Sequence, residues 1–197
     1  MKEHKELLSK WLRVLFYTQA ASMVLTVINA VSNLDPITAW ILKAINLAAL
    51  WSLFQIKAVN PRYRTAAIAK AVVLISGLLT TPVNTSAVGF SSILMLVGGI
   101  VSWVASYQEY HGHGELVAEA DELLAKKWNG LFLKEILVGL AISLISTVGT
   151  TVLVVAGTAT ETVTTVIIAL STLCGLALEG LYLYYMKQTL NLLEAEA

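Results

Sequence analysis

The sequence predicts an all-α fold: a polytopic transmembrane bundle of six helices plus a short cytoplasmic interfacial helix, forming a single integral membrane domain over residues 1–197. Three observations predict it. Residues 14–34, 44–56, 71–108, 136–160 and 162–178 carry no charge and are rich in Leu, Ile, Val and Ala. The composition is 57% hydrophobic and 13% charged, with a mean hydropathy of +0.74. Charged residues make up about a quarter of an ordinary soluble domain. Finally, twelve of the thirteen Lys and Arg residues fall on one side when the chain is drawn as six spans. A span needs about 20 mainly apolar residues, so six spans and short turns use nearly the whole chain.

Span one is read from Trp11 to Asn33, behind Lys2, Lys5, Lys10 and Arg13. Leu7, Leu8, Trp11, Leu12 and Leu15 share a helical face, so the helix should begin near Glu3. Its uncharged stretch is longer than a signal-peptide core of about 7–15 residues, so it reads as a retained span. Asn33-Leu34-Asp35-Pro36 is a tight turn, with Pro36 suited to the first turn of span two, Ile37 to Lys57. Asn60-Pro61-Arg62-Tyr63-Arg64 is the next loop. Span three covers Thr65 to Leu79 and span four Ala87 to Tyr107, separated by the turn-like Thr80-Thr81-Pro82-Val83-Asn84-Thr85.

Residues 115–128 are expected to lie along the membrane surface. Leu116, Ala120, Leu123, Leu124 and Leu131 form an apolar stripe, with Glu115, Glu119, Glu122 and Lys126 opposite. Gly112 and Gly114 are expected to end span four. Span five runs from Leu131 to Ala156, Gly157-Thr158-Ala159-Thr160-Glu161 is an outer turn, and span six runs from Thr162 to Met186. The side rich in Lys and Arg belongs in the cytoplasm. Both termini then face the cytoplasm of a cell bounded by this membrane. Tyr17, Tyr63, Tyr107, Tyr110, Tyr182, Tyr184 and Tyr185 fall in that half, with Trp11 and Trp128 at the inner interface and Trp40 at the outer. An aromatic belt explains this pattern; a cavity lined by Tyr182 and Tyr185 is the alternative.

A short list of polar residues is left to carry function. Glu179 sits two turns inside Lys187, roughly 12 Å into span six. An acid at that depth should face the bundle interior and find a partner, with Lys134 and Arg13 in reach. It is either a structural ion pair or a site for a solute or proton. Lys43 either snorkels outward or lines an outward-facing pocket for an anion. Gln19, Asn29, Asn46 and Gln55 should hydrogen-bond between helices and contact ligand only where a cavity reaches them. Gly98, Ser102 and Ser106, four apart, read as close helix packing.

Glu109, His111, His113 and Glu115 have the right chemistry for a divalent metal. But His-x-His does not put both rings on one helical face, so a helix-end loop is the preferred reading and no metal is expected. The only cysteine, Cys174, is expected to be a small packing residue. No phosphate loop, nucleophile elbow or His-Glu-x-x-His pattern is present. No enzymatic activity, cofactor or nucleic-acid partner is expected.

The segments Asn60-Pro61-Arg62-Tyr63-Arg64, Ser106-Tyr107-Gln108-Glu109-Tyr110-His111-Gly112-His113 and Leu178-Glu179-Gly180-Leu181-Tyr182 resemble those of small multi-pass membrane proteins of Gram-positive bacteria with no assigned activity. Size and span number are also similar to the substrate-binding subunits of energy-coupling-factor vitamin transporters, although the outer turns here are shorter. Two functional classes remain. The first is a small transporter, channel or solute-binding membrane subunit. The second is a non-transporting protein that binds or regulates a partner through its cytoplasmic loops. Expected partners are the lipid bilayer, a small solute or ion, and a further copy or another membrane protein. A ligand-accessible cavity beside Glu179 favours the first class; a dry, Leu-filled bundle favours the second.

Overall fold

The computed structural model describes residues 2–32, 35–79, 88–156 and 160–195. They form six helices: α1 (Lys2–Ser32), α2 (Asp35–Gln55), α3 (Pro61–Leu79), α4 (Val88–Val117), α5 (Glu122–Ala156) and α6 (Thr160–Ala195). A single 3-10 turn, Ile56–Ala58, continues α2. The turns read at Thr80 to Thr85 and Gly157 to Ala159, and Asn33-Leu34, lie outside the described residues.

Each helix packs on its neighbours in sequence, and α1 packs on α6, so the six close into a ring. Among the described residues, only α4 and α6 also touch across the interior. Short connections make consecutive helices antiparallel. The buried side chains gather at one end. Leu8, Leu12 and Leu15 of α1, Leu53 and Ile56 after α2, Tyr63 of α3, Leu124 and Trp128 of α5, and Met186 and Leu190 of α6 form one cluster there. This end also carries most of the Lys and Arg residues, and we call it the basic end.

Toward the other end the large apolar side chains turn outward. Leu47, Trp51, Ile75, Leu96, Leu144 and Ile168 are all exposed on the ring's outer surface. In water such a surface would be strongly unfavourable; in hydrocarbon it is the expected one. Among the described residues, four stretches, Glu6–Asn29, Ile37–Ala58, Glu122–Gly149 and Thr165–Ala195, are long and apolar enough to cross a membrane. Four such helices are compatible with an integral membrane protein. With 35 and 36 residues, α5 and α6 are each roughly 50 Å long, against a hydrocarbon thickness of about 30 Å. The excess supplies the packed collar at the basic end.

The collar corrects the sequence reading of residues 108–130. No separate interfacial helix forms. α4 runs on through both glycines to Val117, and α5 begins at Glu122. The glycines permit contact rather than end the helix. A Cβ on Gly112 would lie 3.2 Å from the Tyr63 ring, and one on Gly114 would lie 2.7 Å from Asn129 Oδ1. The break comes at residues 118–121. The Val117 carbonyl accepts from the Ala120 and Asp121 N–H groups, and the Asp121 carboxylate accepts from Leu124 N–H at 2.8 Å, capping α5. Leu124 and Leu131 of the apolar stripe are buried in the cluster, whereas Leu123 is exposed. Glu119 and Glu122 face solvent, as expected.

The same capping chemistry opens α3. Asn60 Oδ1 accepts from Arg62 N–H at 2.8 Å, and Pro61 takes the first helical position, where a missing N–H is harmless. The aromatic belt also needs correction. Tyr63, Tyr182, Tyr185 and Trp128 are buried in the collar; only Tyr17, Tyr107 and Tyr184 are exposed as a belt requires.

Candidate functional site: a polar cavity inside the ring

α4 sets the site. Ser102, Ser106, Glu109, Tyr110 and His113 recur at helical spacing and form a polar stripe facing the interior. The opposing helices answer with polar groups of their own: Gln19 and Ser22 from α1, Asn46 from α2, Lys70 from α3, Glu135 from α5, and Glu179 and Tyr182 from α6. Together they line a cavity of about 410 Å³. An adjoining space of about 200 Å³ shares Gln19, Asn46, Lys70, Ser102 and Ser106 with it.

Among the described residues Glu109 is the best-buried acid, at 2% exposure. Its Oε2 is ion-paired with the Lys70 ammonium. Its Oε1 accepts from the Tyr182 hydroxyl at 2.6 Å and lies 3.8 Å from His113 Nε2, a contact too long for a hydrogen bond. Burial pushes the Glu109 carboxyl up, but the Lys70 ammonium outweighs this and holds it well below the usual carboxylate range. It is therefore ionised. His113 lies behind it in an aromatic box. Its Nδ1 meets the Tyr63 hydroxyl at 2.9 Å, and its ring centroid is 4.6 Å from that of Trp128. Burial lowers the His113 pKa, opposed by Glu109, so the imidazole is neutral and its Nε2 has no hydrogen-bond partner among the described residues. Trp128 is anchored in turn: its Nε1–H donates to Thr189 Oγ1 at 3.0 Å.

Glu135 accepts from the Ser106 hydroxyl at 3.0 Å. Glu179 lines the cavity as expected of an interior acid, but neither anticipated partner reaches it. Arg13 pairs with Glu194 at 2.8 Å on the surface, and Lys134 is exposed. Lys134 and Glu135 are adjacent on α5, and helical geometry turns the acid, not the lysine, inward. Glu179 Oε2 is buried without a hydrogen-bond partner.

Among the other sequence candidates, Tyr182 lines the cavity, whereas Tyr185 packs on Trp128 with ring centroids 5.7 Å apart. Lys43 does not line the cavity; its ammonium sits 4.4 Å from the Trp40 ring. The metal candidates diverge. His111 Nδ1 contacts the Tyr107 carbonyl at 3.0 Å, Glu115 is bound by Arg62 at 2.7 Å and Asn60 at 2.8 Å, and Glu109 and His113 lie inside. No group of three metal-binding side chains occurs among the described residues. Asn29 accepts from Thr38 across α1 and α2 at 2.8 Å, the interhelical bond expected of such amides. Gln19 and Asn46 are the two amides the cavity reaches. Cys174 is half-buried.

Lys70 and Glu135 were not singled out from the sequence. One signal for the site was present: the small-residue stripe ending at Ser106 continues at the same helical spacing into Glu109, Tyr110 and His113. Comparison with protein-family models, curated proteins and solved structures returns no match for this chain.

Proposed function

We propose that this protein is a small membrane transporter or solute-binding membrane subunit whose cavity takes a small, positively charged solute. Six spans, cytoplasmic termini and residence in the cell membrane complete the reading. They are supported by the antiparallel ring and by the one-sided distribution of Lys and Arg.

The observation that carries it is the charge balance of the cavity: three carboxylates, Glu109, Glu135 and Glu179, against one ammonium, Lys70. Lys70 is already committed to Glu109. Glu135 and Glu179 have no cationic partner among the described residues, and one oxygen of Glu179 has no partner of any kind there. Leaving a buried carboxyl oxygen without a hydrogen-bond partner is costly, and a cationic ligand would supply what is missing. The cavity volume falls within the usual range of small-molecule sites, about 300–1,000 Å³. Tyr110, Ser102, Ser106, Gln19 and Asn46 offer hydroxyl and amide groups to orient such a ligand. A polar-lined cavity of this size differs from the dry, Leu-filled bundle that would favour a partner-binding protein.

The test is equilibrium binding to the purified protein, followed by flux in liposomes, using a panel of small amines and guanidines with neutral and anionic analogues of similar size. Saturable binding confined to cations, and weakened at least tenfold by Glu179→Gln at unchanged melting temperature, supports the reading. Absence of cation binding, or binding untouched by Glu179→Gln, overturns it.

A further inference from the structure

We propose that the outer groove between α2 and α3 is a binding site for an anionic phospholipid, independent of the cavity. An acyl chain lies along the groove and the headgroup phosphate rests on Lys57 and Arg64. The groove, of about 480 Å³, is walled by Leu47, Leu50, Trp51 and Phe54 on α2 and by Ala67, Ile68 and Ala71 on α3. The α2 residues recur at i, i+3, i+4 and i+7, one continuous face about 10 Å long. Opposite them α3 places two alanines, which keep the floor low, while Trp51 and Ile68 stand exposed as side walls.

The basic end of this groove is what distinguishes it from ordinary lipid-facing surface. Lys57 follows Phe54 by one turn, and its ammonium sits 3.6 Å from the Phe54 ring. Arg64 precedes Ala67 and Ile68 by one turn on the facing helix. Both are exposed, and neither forms an ion pair with a described residue. Their neighbour Arg62 shows the contrast: Glu115 neutralises it at 2.7 Å. The apolar stretch of α2 ends at Ala58, so both cations stand where a membrane places its headgroups.

An occupant must therefore combine a hydrocarbon chain with a negative charge one turn beyond it. A phospholipid with net negative charge has this shape. Free phosphate would not use the groove. A second copy of this chain would bring its own basic end, with Lys10 and Lys187 exposed, against these two cations.

Trp51 supplies the readout. The full chain is reconstituted in phosphatidylcholine vesicles holding a minor fraction of bromine-labelled phosphatidylglycerol or, separately, bromine-labelled phosphatidylcholine. Quenching of Trp51 is taken as the difference between the chain and its Trp51→Phe variant. At roughly fivefold preference per cation, labelled phosphatidylglycerol should occupy the site about 30-fold more readily than labelled phosphatidylcholine. Lys57→Gln with Arg64→Gln should remove the preference, while Lys57→Arg should retain it. Unchanged helical content and melting temperature in the double variant exclude misfolding. Equal quenching by both lipids means non-selective boundary lipid, and quenching by neither means a protein neighbour covers Trp51. Either result overturns the proposal, as does a preference that survives the double substitution.

Discussion

Replacing Lys70 with Met leaves Glu109 buried beside a neutral imidazole and a single tyrosine hydroxyl. Removing one partner of a buried ion pair costs about 3–5 kcal/mol. Lys70 keeps 32% of its side chain exposed, so water reaches one partner and the lower figure, about 3 kcal/mol, is expected. The dependence on pH is more telling than the magnitude. In the native protein the Glu109 carboxyl lies below its unfolded value of about 4.3. Its contribution is therefore fully present above that pH and is lost as pH falls toward the depressed folded value. Without Lys70, burial is the dominant influence and the folded value rises above the unfolded one. The contribution then changes sign: it is largest at acid pH and is lost as pH rises through the raised value. Denaturant unfolding in mild detergent, followed by tryptophan fluorescence between pH 5 and pH 8, should show Lys70→Met gaining stability on acidification, relative to the native chain. Lys70→Met with Glu109→Gln should recover most of the loss and abolish the slope. A Lys70→Met chain within about 0.5 kcal/mol of the native one at pH 7.5, with no difference in slope, would refute the view of Glu109 as a buried, ionised group held by Lys70.

Three further substitutions probe the collar. Gly114→Ala should destabilise by about 1–3 kcal/mol through overpacking, because its Cβ would meet Asn129 Oδ1 at 2.7 Å and the Ala125 carbonyl at 3.3 Å. Gly130→Ala, also helical but with open space around it, should stabilise by up to about 1 kcal/mol; unfolding midpoints of the pair measure both. Thr189→Val removes the acceptor of the Trp128 Nε1–H and should cost about 1–3 kcal/mol for an unsatisfied buried donor. The Trp128 emission, isolated by difference against Trp128→Phe, should shift in the same variant.

The all-helical class, the six helices and the apolar helices of spanning length were legible because charge gaps and apolar length are properties of single segments. The start of α2 was legible from Pro36, but Asn60-Pro61-Arg62-Tyr63-Arg64 reads as a loop in the sequence, whereas Asn60 caps α3 and Pro61 is its first residue. The collar was not. Gly112 and Gly114 look like terminators until Tyr63 and Asn129 are brought against them, and those contacts join residues far apart in sequence. The same limit applies to the cavity. Glu179 was identified from its depth alone, but its surroundings depend on how each helix is rotated. On α5 a turn of about 100° separates Lys134 from Glu135, and the sequence favoured the wrong one of the two. Lys70 counts in the sequence only as one of the twelve basic residues of the cytoplasmic side, because nothing local indicates that Glu109 faces it from α4. Periodicity alone could have linked Ser102, Ser106, Glu109 and His113 into one stripe, which carries most of the site's polar groups.

The closed ring also dictates an order of assembly. Every helix packs on the one made before it, so α1 to α5 can dock as successive hairpins while the chain is being inserted, with little search for distant partners. The long-range contacts of α6, with α1 and with α4, come last. That step brings Tyr182 to the Glu109 carboxylate and Glu179 to the wall of the cavity. Until α6 arrives, the Glu109–Lys70 pair lies open on the inner face of a five-helix arc. The compartment that gives the protein a candidate ligand site is thus a product of its final folding event. A lesion in the α1–α6 seam should leave an inserted, helical chain that has no interior.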